Sequence, residues 1–232
     1  MMKQPTDVRS EDISHRIKDT VEDIKPRLRG WLHAITTPLA FISFLVLLVL
    51  SENVLVRVGV AVFMLSAIIL FGVSGVYHTG RWSARARMLW KRLDHANIFI
   101  LIAGSYTPFS LLLLSPRNAA IMLSIVWGGT ILGVLFRLFW VHAPRALYVG
   151  LYLLLGWVAL IFMGDFVSGT PVAVFVLMVV GGGLYTIGAI VYGLRWPDPW
   201  PRWYGFHEVF HTLTIAAFVV HYVGVSLLAY SG

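Results

Sequence analysis

His207 and His211 lie four residues apart in an apolar stretch near the C-terminus. A helix there presents both imidazoles on one face, about 6 Å apart along its axis. Such a pair can hold one Zn2+ through nitrogens at about 2.0 to 2.1 Å, and a third nitrogen from elsewhere leaves the fourth tetrahedral position open to water. His78, preceded one turn earlier by Ser74, is the natural third ligand. Asp94 is the natural acid beside them. It either ligates directly or, in the preferred reading, holds the water next to the metal as general base, with Ser74 hydrogen-bonding nearby. Three neutral imidazoles leave the ion its full double charge, which acidifies water towards a pKa of about 7 and brings hydrolysis within reach.

Rival readings attach to the same residues. His207-Glu208-Val209-Phe210-His211 also spells H-E-x-x-H, which in zincins supplies two ligands and a general-base glutamate. Ala217 stands where a metzincin carries its third histidine, and no acid follows Glu208 to complete an intramembrane protease site, so the protease reading ranks low. Glu208 is expected either to support the site from behind its ligands or to meet the aqueous interface. A lone intramembrane histidine is more often a packed, hydrogen-bonded residue, and Asp94 alone would pair with Arg92 near the interface. Convergence of four groups at one level outweighs those readings.

Composition specifies what must position these side chains. Of 232 residues, 58% are hydrophobic and 12% charged, and the mean hydropathy is +0.80, far more apolar than a soluble domain. Runs of the length a bilayer demands, about 20 residues, occur near Trp31 to Leu50, Val54 to His78, Leu93 to Leu114, Asn118 to Val141, Ala146 to Phe166, Val172 to Leu194 and Gly205 to Tyr230. The expected fold is therefore an all-α integral membrane bundle of seven transmembrane helices, residues 31–232, preceded by a soluble arm, residues 1–30. No cleavable signal peptide is expected, because no apolar core precedes Trp31. With no cysteine, disulfides and thiolate ligands are excluded, and any metal must use His, Asp or Glu. The formal charge of +7 does not point to nucleic acid, since the basic residues sit in short gaps between apolar runs.

Those gaps orient the bundle. Counted on alternate sides of seven spans, 16 of the 18 Lys and Arg residues fall on one side and only Arg57 and Arg117 on the other. The positive-inside tendency then places the N-terminus in the cytoplasm and the C-terminus outside, as expected for a multi-pass protein of a plasma membrane. Span two ends inside while spans three and seven begin there, which brings His78, Asp94, His207 and His211 to one level.

Other features carry weaker expectations. Ile13, Ile17, Val21, Ile24 and Leu28 write an apolar stripe, read as an amphipathic cytoplasmic helix interrupted near Pro26. Ser105, eleven residues after Asp94, is expected to line a pocket descending from the metal or to pack. His221 lies about 15 Å deeper than His211, too far to share its ion, and suits a cavity wall. Pro108 is expected to bend span three, and Gly181-Gly182-Gly183 to allow close approach or flexing in span six. His33 and His142 carry no signal.

Ser74-x-x-x-His78, Asp94 opening span three, His207-x-x-x-His211 opening span seven, and the segment Gly104-Ser105-Tyr106-Thr107-Pro108-Phe109 together resemble the hemolysin III family, the bacterial branch of the progestin and adipoQ receptors. The resemblance covers nearly all seven spans. It implies zinc on His78, His207 and His211, with Asp94 and Ser74 close by. It further implies a link to ceramide hydrolysis, known of adiponectin-receptor relatives, or to the hemolysin and membrane-homeostasis roles ascribed to bacterial members. The short arm sets the chain apart from the eukaryotic receptors and argues against hormone binding. The leading expectation is thus a zinc-dependent hydrolase of lipid amides or esters, its partners being membrane lipids of ceramide-like or other acyl type. The alternatives are a non-enzymatic sensor or regulator with structural zinc, and a hemolysin-like lytic protein. No nucleic-acid or protein partner is indicated.

Overall fold

The computed structural model describes residues 26 and 28–230. The stripe over residues 13–28 lies, apart from Leu28, outside them. Among the described residues there is no strand, and seven segments are long and apolar enough to cross a membrane. They are formed by helices α1 (Trp31–Leu50), α2 (Val54–Thr79), α3 (Ala84–Leu113), α4 (Pro116–Phe139), α5 (Arg145–Gly156), α6 (Met163–Gly169), α7 (Val172–Leu194) and α8 (Phe206–Tyr230). The fifth span comprises α5, a 3-10 segment Val158–Phe162, and α6.

The breaks between spans start the next helix with side-chain caps. Asn53 accepts from the Leu55 N–H at 2.8 Å, Ser83 from Ala86 at 3.4 Å, and Ser115 from Asn118 at 3.3 Å ahead of Pro116 in the first turn. Each meets an N–H that the helix itself cannot satisfy. Because Ser83 caps α3, this helix begins well before Leu93, where the apolar run begins. Arg85, Arg87, Lys91 and Arg92 lie in its first turns and are good helix formers. Apolarity marks the membrane-crossing stretch, not the helix.

Consecutive spans one to four pack side by side, α7 packs on α8, and α8 closes the bundle against α1. The third span is the central one: 61% of its apolar window is buried, against 22% for the first and sixth. α3 continues through Pro108. Gly59 of α2 faces that proline so closely that a Cβ there would lie 2.8 Å from Pro108 Cα.

The fifth span is not one continuous helix, although its apolar run has no proline and no charge before Asp165. After Gly156 the backbone tightens, and the polar groups this frees in a lipid-facing segment need partners. Tyr106 from α3 supplies them: its hydroxyl donates to the Gly156 carbonyl and accepts from the Ala159 N–H.

Candidate metal centre

Three helices converge at the end of the bundle that carries most of the Arg and Lys. α2 delivers Ser74 and His78 from its last two turns, α3 delivers Asp94, and α8 delivers His207 and His211 from its first two turns. The His207 and His211 ring centroids are 4.5 Å apart, and His78 lies 4.9 Å from the first and 5.4 Å from the second. One nitrogen from each ring lies within 4.8 Å of the other two.

These atoms suit a divalent ion. Tetrahedral Zn–N bonds of about 2.05 Å separate nitrogens by roughly 3.4 Å, so three rings within 4.8 Å need only a small inward adjustment. His78 Nε2, His207 Nε2 and His211 Nδ1 are buried without a hydrogen-bond partner, as are both nitrogens of His33 and Ser74 Oγ. Unpaired buried polar atoms are rare and costly, and a cluster of imidazole lone pairs is what a borderline-soft cation satisfies. Asp94 Oδ2 stands 3.7 Å from His78 Nε2, beyond hydrogen-bonding distance but beside the cluster.

The chain makes room for this packing by omitting side chains. Gly30, at φ 87°, turns the arm into α1, and a Cβ there would lie 2.6 Å from His78 Cβ. A Cβ on Gly75, three residues before His78, would come within 3.0 Å of the Ala34 backbone. α1 therefore approaches closely, and His33 enters the site: its ring stacks on His211 with centroids 3.8 Å apart and planes 18° from parallel. Sequence reasoning missed His33. The signal that could have found it is depth, because His33 opens span one at the level where spans three and seven begin.

Glu208 neither faces the ligand cluster nor meets water. Fully buried, its carboxylate takes a 2.8 Å ion pair from Arg29 Nε and a 2.9 Å hydrogen bond from the Gly205 N–H. Asp198 accepts from the next amide, Phe206 N–H, at 2.9 Å. Two acids thus serve the free N–H groups of α8 and suit the positive end of its dipole. The H-E-x-x-H glutamate is an anchor between the arm and α8.

His95, adjacent to Asp94, points elsewhere. Its Nδ1–H donates to the Lys91 carbonyl at 2.7 Å, so Nε2 accepts from the Tyr192 hydroxyl at 3.0 Å. The Tyr152 hydroxyl holds the His95 carbonyl at 2.8 Å. Arg137, 1% exposed, lies 4.3 Å over the Tyr148 ring in the same neighbourhood. None of these side chains was singled out from sequence for a role.

A cavity of about 580 Å3 runs away from the cluster, with Asp94, Ser74, His207 and His211 in its wall at one end and Ser105 and His221 further along. Its flanks are mainly apolar, including Leu70, Phe109, Phe175 and Met178. Ser105 also donates to the Ile102 carbonyl at 2.9 Å. His221 bonds the Met178 carbonyl at 3.2 Å across α7. Trp157, Leu160, Gly182 and Gly183 line the cavity and are also exposed on the outside of the bundle, so it opens sideways between the fifth and sixth spans. Volume and lining fit a small-molecule site of mainly apolar character.

Residues 22–222 match the family described as Haemolysin-III related. Among curated proteins, the chain is 29% identical over 158 residues to a hemolysin-3 homolog of Bacillus subtilis, covering 68% of this chain and 71% of that protein. It is 30% identical over 135 residues to hemolysin-3 of Bacillus cereus, covering 58% and 61%. An adiponectin receptor protein of Drosophila melanogaster is 30% identical across 92% of this chain, which spans about half of that protein (51%). With seven apolar spans and a match over most of its length, the chain belongs to the haemolysin-III-related family of multi-pass membrane proteins, within the adipoQ receptor superfamily.

Proposed function

We propose that the protein is a zinc-dependent hydrolase of lipid amides or esters, of ceramidase type, seated in a bacterial inner (plasma) membrane with its N-terminus inside. One juxtaposition carries this reading: three histidine nitrogens within 4.8 Å of one another, with Asp94 beside them, in the wall of an apolar cavity of about 580 Å3. His78, His207 and His211 would hold the ion. When bound, it would supply Lewis acidity for a carbonyl and acidify a neighbouring water.

The remaining chemistry belongs to the chain. Asp94 is placed to accept the proton of the attacking water and return it to the departing amine or alcohol. The apolar flanks of the cavity align the acyl chain and exclude bulk water, and the opening beside Gly182 and Gly183 admits a lipid from the bilayer without passage through solvent. The 16-to-2 division of basic residues supports a cytoplasmic level for the centre.

Metal analysis of purified protein, with mass spectrometry of ceramide-type and glycerolipid substrates, tests the proposal. Expected are about one zinc per chain, release of fatty acid, and loss of release on Asp94→Asn. Zinc-loaded protein that turns over no lipid across a broad panel would overturn it. A non-enzymatic sensor is the second reading, favoured by the position of the histidines at the ends of α2 and α8, which an ion would clasp together. On that reading, Asp94→Asn keeps physiological activity while each histidine replacement loosens the bundle. Lysis, the property in the names of the Bacillus relatives, is read directly by haemoglobin release from erythrocytes.

A further inference from the structure

His221 is buried, lies about 15 Å along α8 from His211, and plays no part in the metal centre. Its surroundings fix its hydrogen-bonding state. The Met178 carbonyl, 3.2 Å from Nε2, can only accept, so Nε2 carries the hydrogen and Nδ1 presents a lone pair. That Nδ1 is buried without a partner. The Tyr185 hydroxyl, on the ring whose centroid is 5.6 Å from that of His221, is also buried without a partner. The pair thus offers an acceptor and a hydroxyl able to donate, both on side chains that line the cavity.

The arrangement is held in place. Phe109 packs edge-on against His221 with centroids 5.5 Å apart. Gly181 lies one turn before Tyr185 on α7, and a Cβ there would fall 2.2 Å from His221 Cδ2 and 2.3 Å from Nε2. The bond to Met178 exists only because residue 181 has no side chain. This is the close approach that the glycine run made available, and it is spent on orienting one histidine. In a cavity whose flanks are mainly apolar, two orphaned polar atoms are a cost that a matching ligand group would remove.

We propose that His221 and Tyr185 form a hydroxyl-recognition subsite at the far end of the cavity, so that the preferred lipid carries an alcohol partway along its acyl chain. A hydroxyl matches both atoms at once, donating to Nδ1 and accepting from the tyrosine. A carbonyl or ether cannot donate to Nδ1, and a methylene does neither. The span of about 15 Å equals roughly a dozen carbons of an extended chain with bonds near 1.5 Å. The alcohol therefore belongs near carbon 12, counted from a head group at the metal centre. This rests on the reading of the cavity as an acyl-lipid site.

The test is binding of octadecanoate, 3-hydroxyoctadecanoate and 12-hydroxyoctadecanoate to the full chain in nanodiscs, for wild type, Tyr185→Phe and His221→Phe. The expected result is a roughly three- to tenfold preference of wild type for the 12-hydroxy acid, the scale of one net buried hydrogen bond. Tyr185→Phe should abolish the preference and leave octadecanoate affinity unchanged. Equal affinity for all three acids, preference for the 3-hydroxy isomer, or a preference that survives both substitutions overturns the subsite and leaves the lipid cavity standing. If none of the three acids binds wild type, the acyl-lipid reading fails and takes the subsite with it.

Discussion

His33 lies flat against His211, ring centroids 3.8 Å apart and planes 18° from parallel, while Phe71 meets His33 edge-on at 5.0 Å. The first span thereby fixes the rotation of an imidazole belonging to the seventh. A ligand held in its coordinating rotamer loses less freedom when it binds an ion, and partners that orient ligands commonly contribute 10- to 100-fold in affinity, as an order of magnitude. His33→Ala is therefore expected to weaken zinc retention by about tenfold or more in competition with a chromophoric chelator. His33→Phe, which keeps a flat ring against His211, should stay within about threefold of wild type. Equal loss in both variants would show that the nitrogens of His33, not its face, matter.

Replacement of His78, His207 or His211 by alanine should each bring zinc content well below one per chain. Asp94→Asn should leave content unchanged and lower lipid hydrolysis by about 10²-fold or more, the usual contribution of a general base. Measuring stoichiometry and turnover on the same preparations separates the two roles. Retained turnover in Asp94→Asn contradicts the assignment of Asp94.

Glu208 is expected to matter for stability and not for chemistry. Glu208→Ala removes the partner of Arg29 and the acceptor for the Gly205 N–H. Breaking a fully buried pair costs about 3 to 5 kcal/mol, and the partial exposure of Arg29 argues for about 2 kcal/mol here. Thermal unfolding in detergent should show the loss, with zinc stoichiometry of the folded fraction unchanged. A zincin-like base would give the opposite pattern on Glu208→Gln: normal stability and no turnover.

Tyr106→Phe should destabilise the interrupted fifth span. The change strips partners from the Gly156 carbonyl and the Ala159 N–H in a setting without water, for a cost of about 1 to 3 kcal/mol. Unfolding midpoints should fall, and proteolysis between residues 156 and 162 should accelerate.

Gly182→Leu probes the lateral opening. Nothing lies within 4 Å of a Cβ built at Gly182, so the fold should accept the larger side chain. A leucine there narrows the mouth that Trp157 and Leu160 share, so kcat/KM for a lipid substrate should fall severalfold with zinc content and Tm unchanged. Unaltered kinetics would mean that lipid arrives by another route.

Depth in the bilayer was legible from the amino acids, and rotation about the helix axis was not. Hydropathy and the basic residues place Asp94 and His95 at one level, yet Asp94 stands beside His78 while His95 turns to Tyr192. His33 and His142 look equally uninformative in one dimension, yet one is stacked on His211 and the other is exposed in a loop. Spacing alone made Glu208 a zincin-like glutamate, whereas Arg29, 179 positions away, claims its carboxylate.

The sequence by itself determined that the chain crosses a membrane seven times and that most of its basic residues, with Asp94 and the three clustered histidines, gather at one end, because apolar length and the positions of charges are local, additive quantities. Only the tertiary structure decided which of those groups touch. The approach of α1 to His78 through Gly30 and Gly75, the repair of a broken fifth span by Tyr106, and the seating of His221 over Gly181 all depend on close packing between segments far apart in the chain. Close packing is short-ranged and specific to shape, so it is settled only when the helices meet.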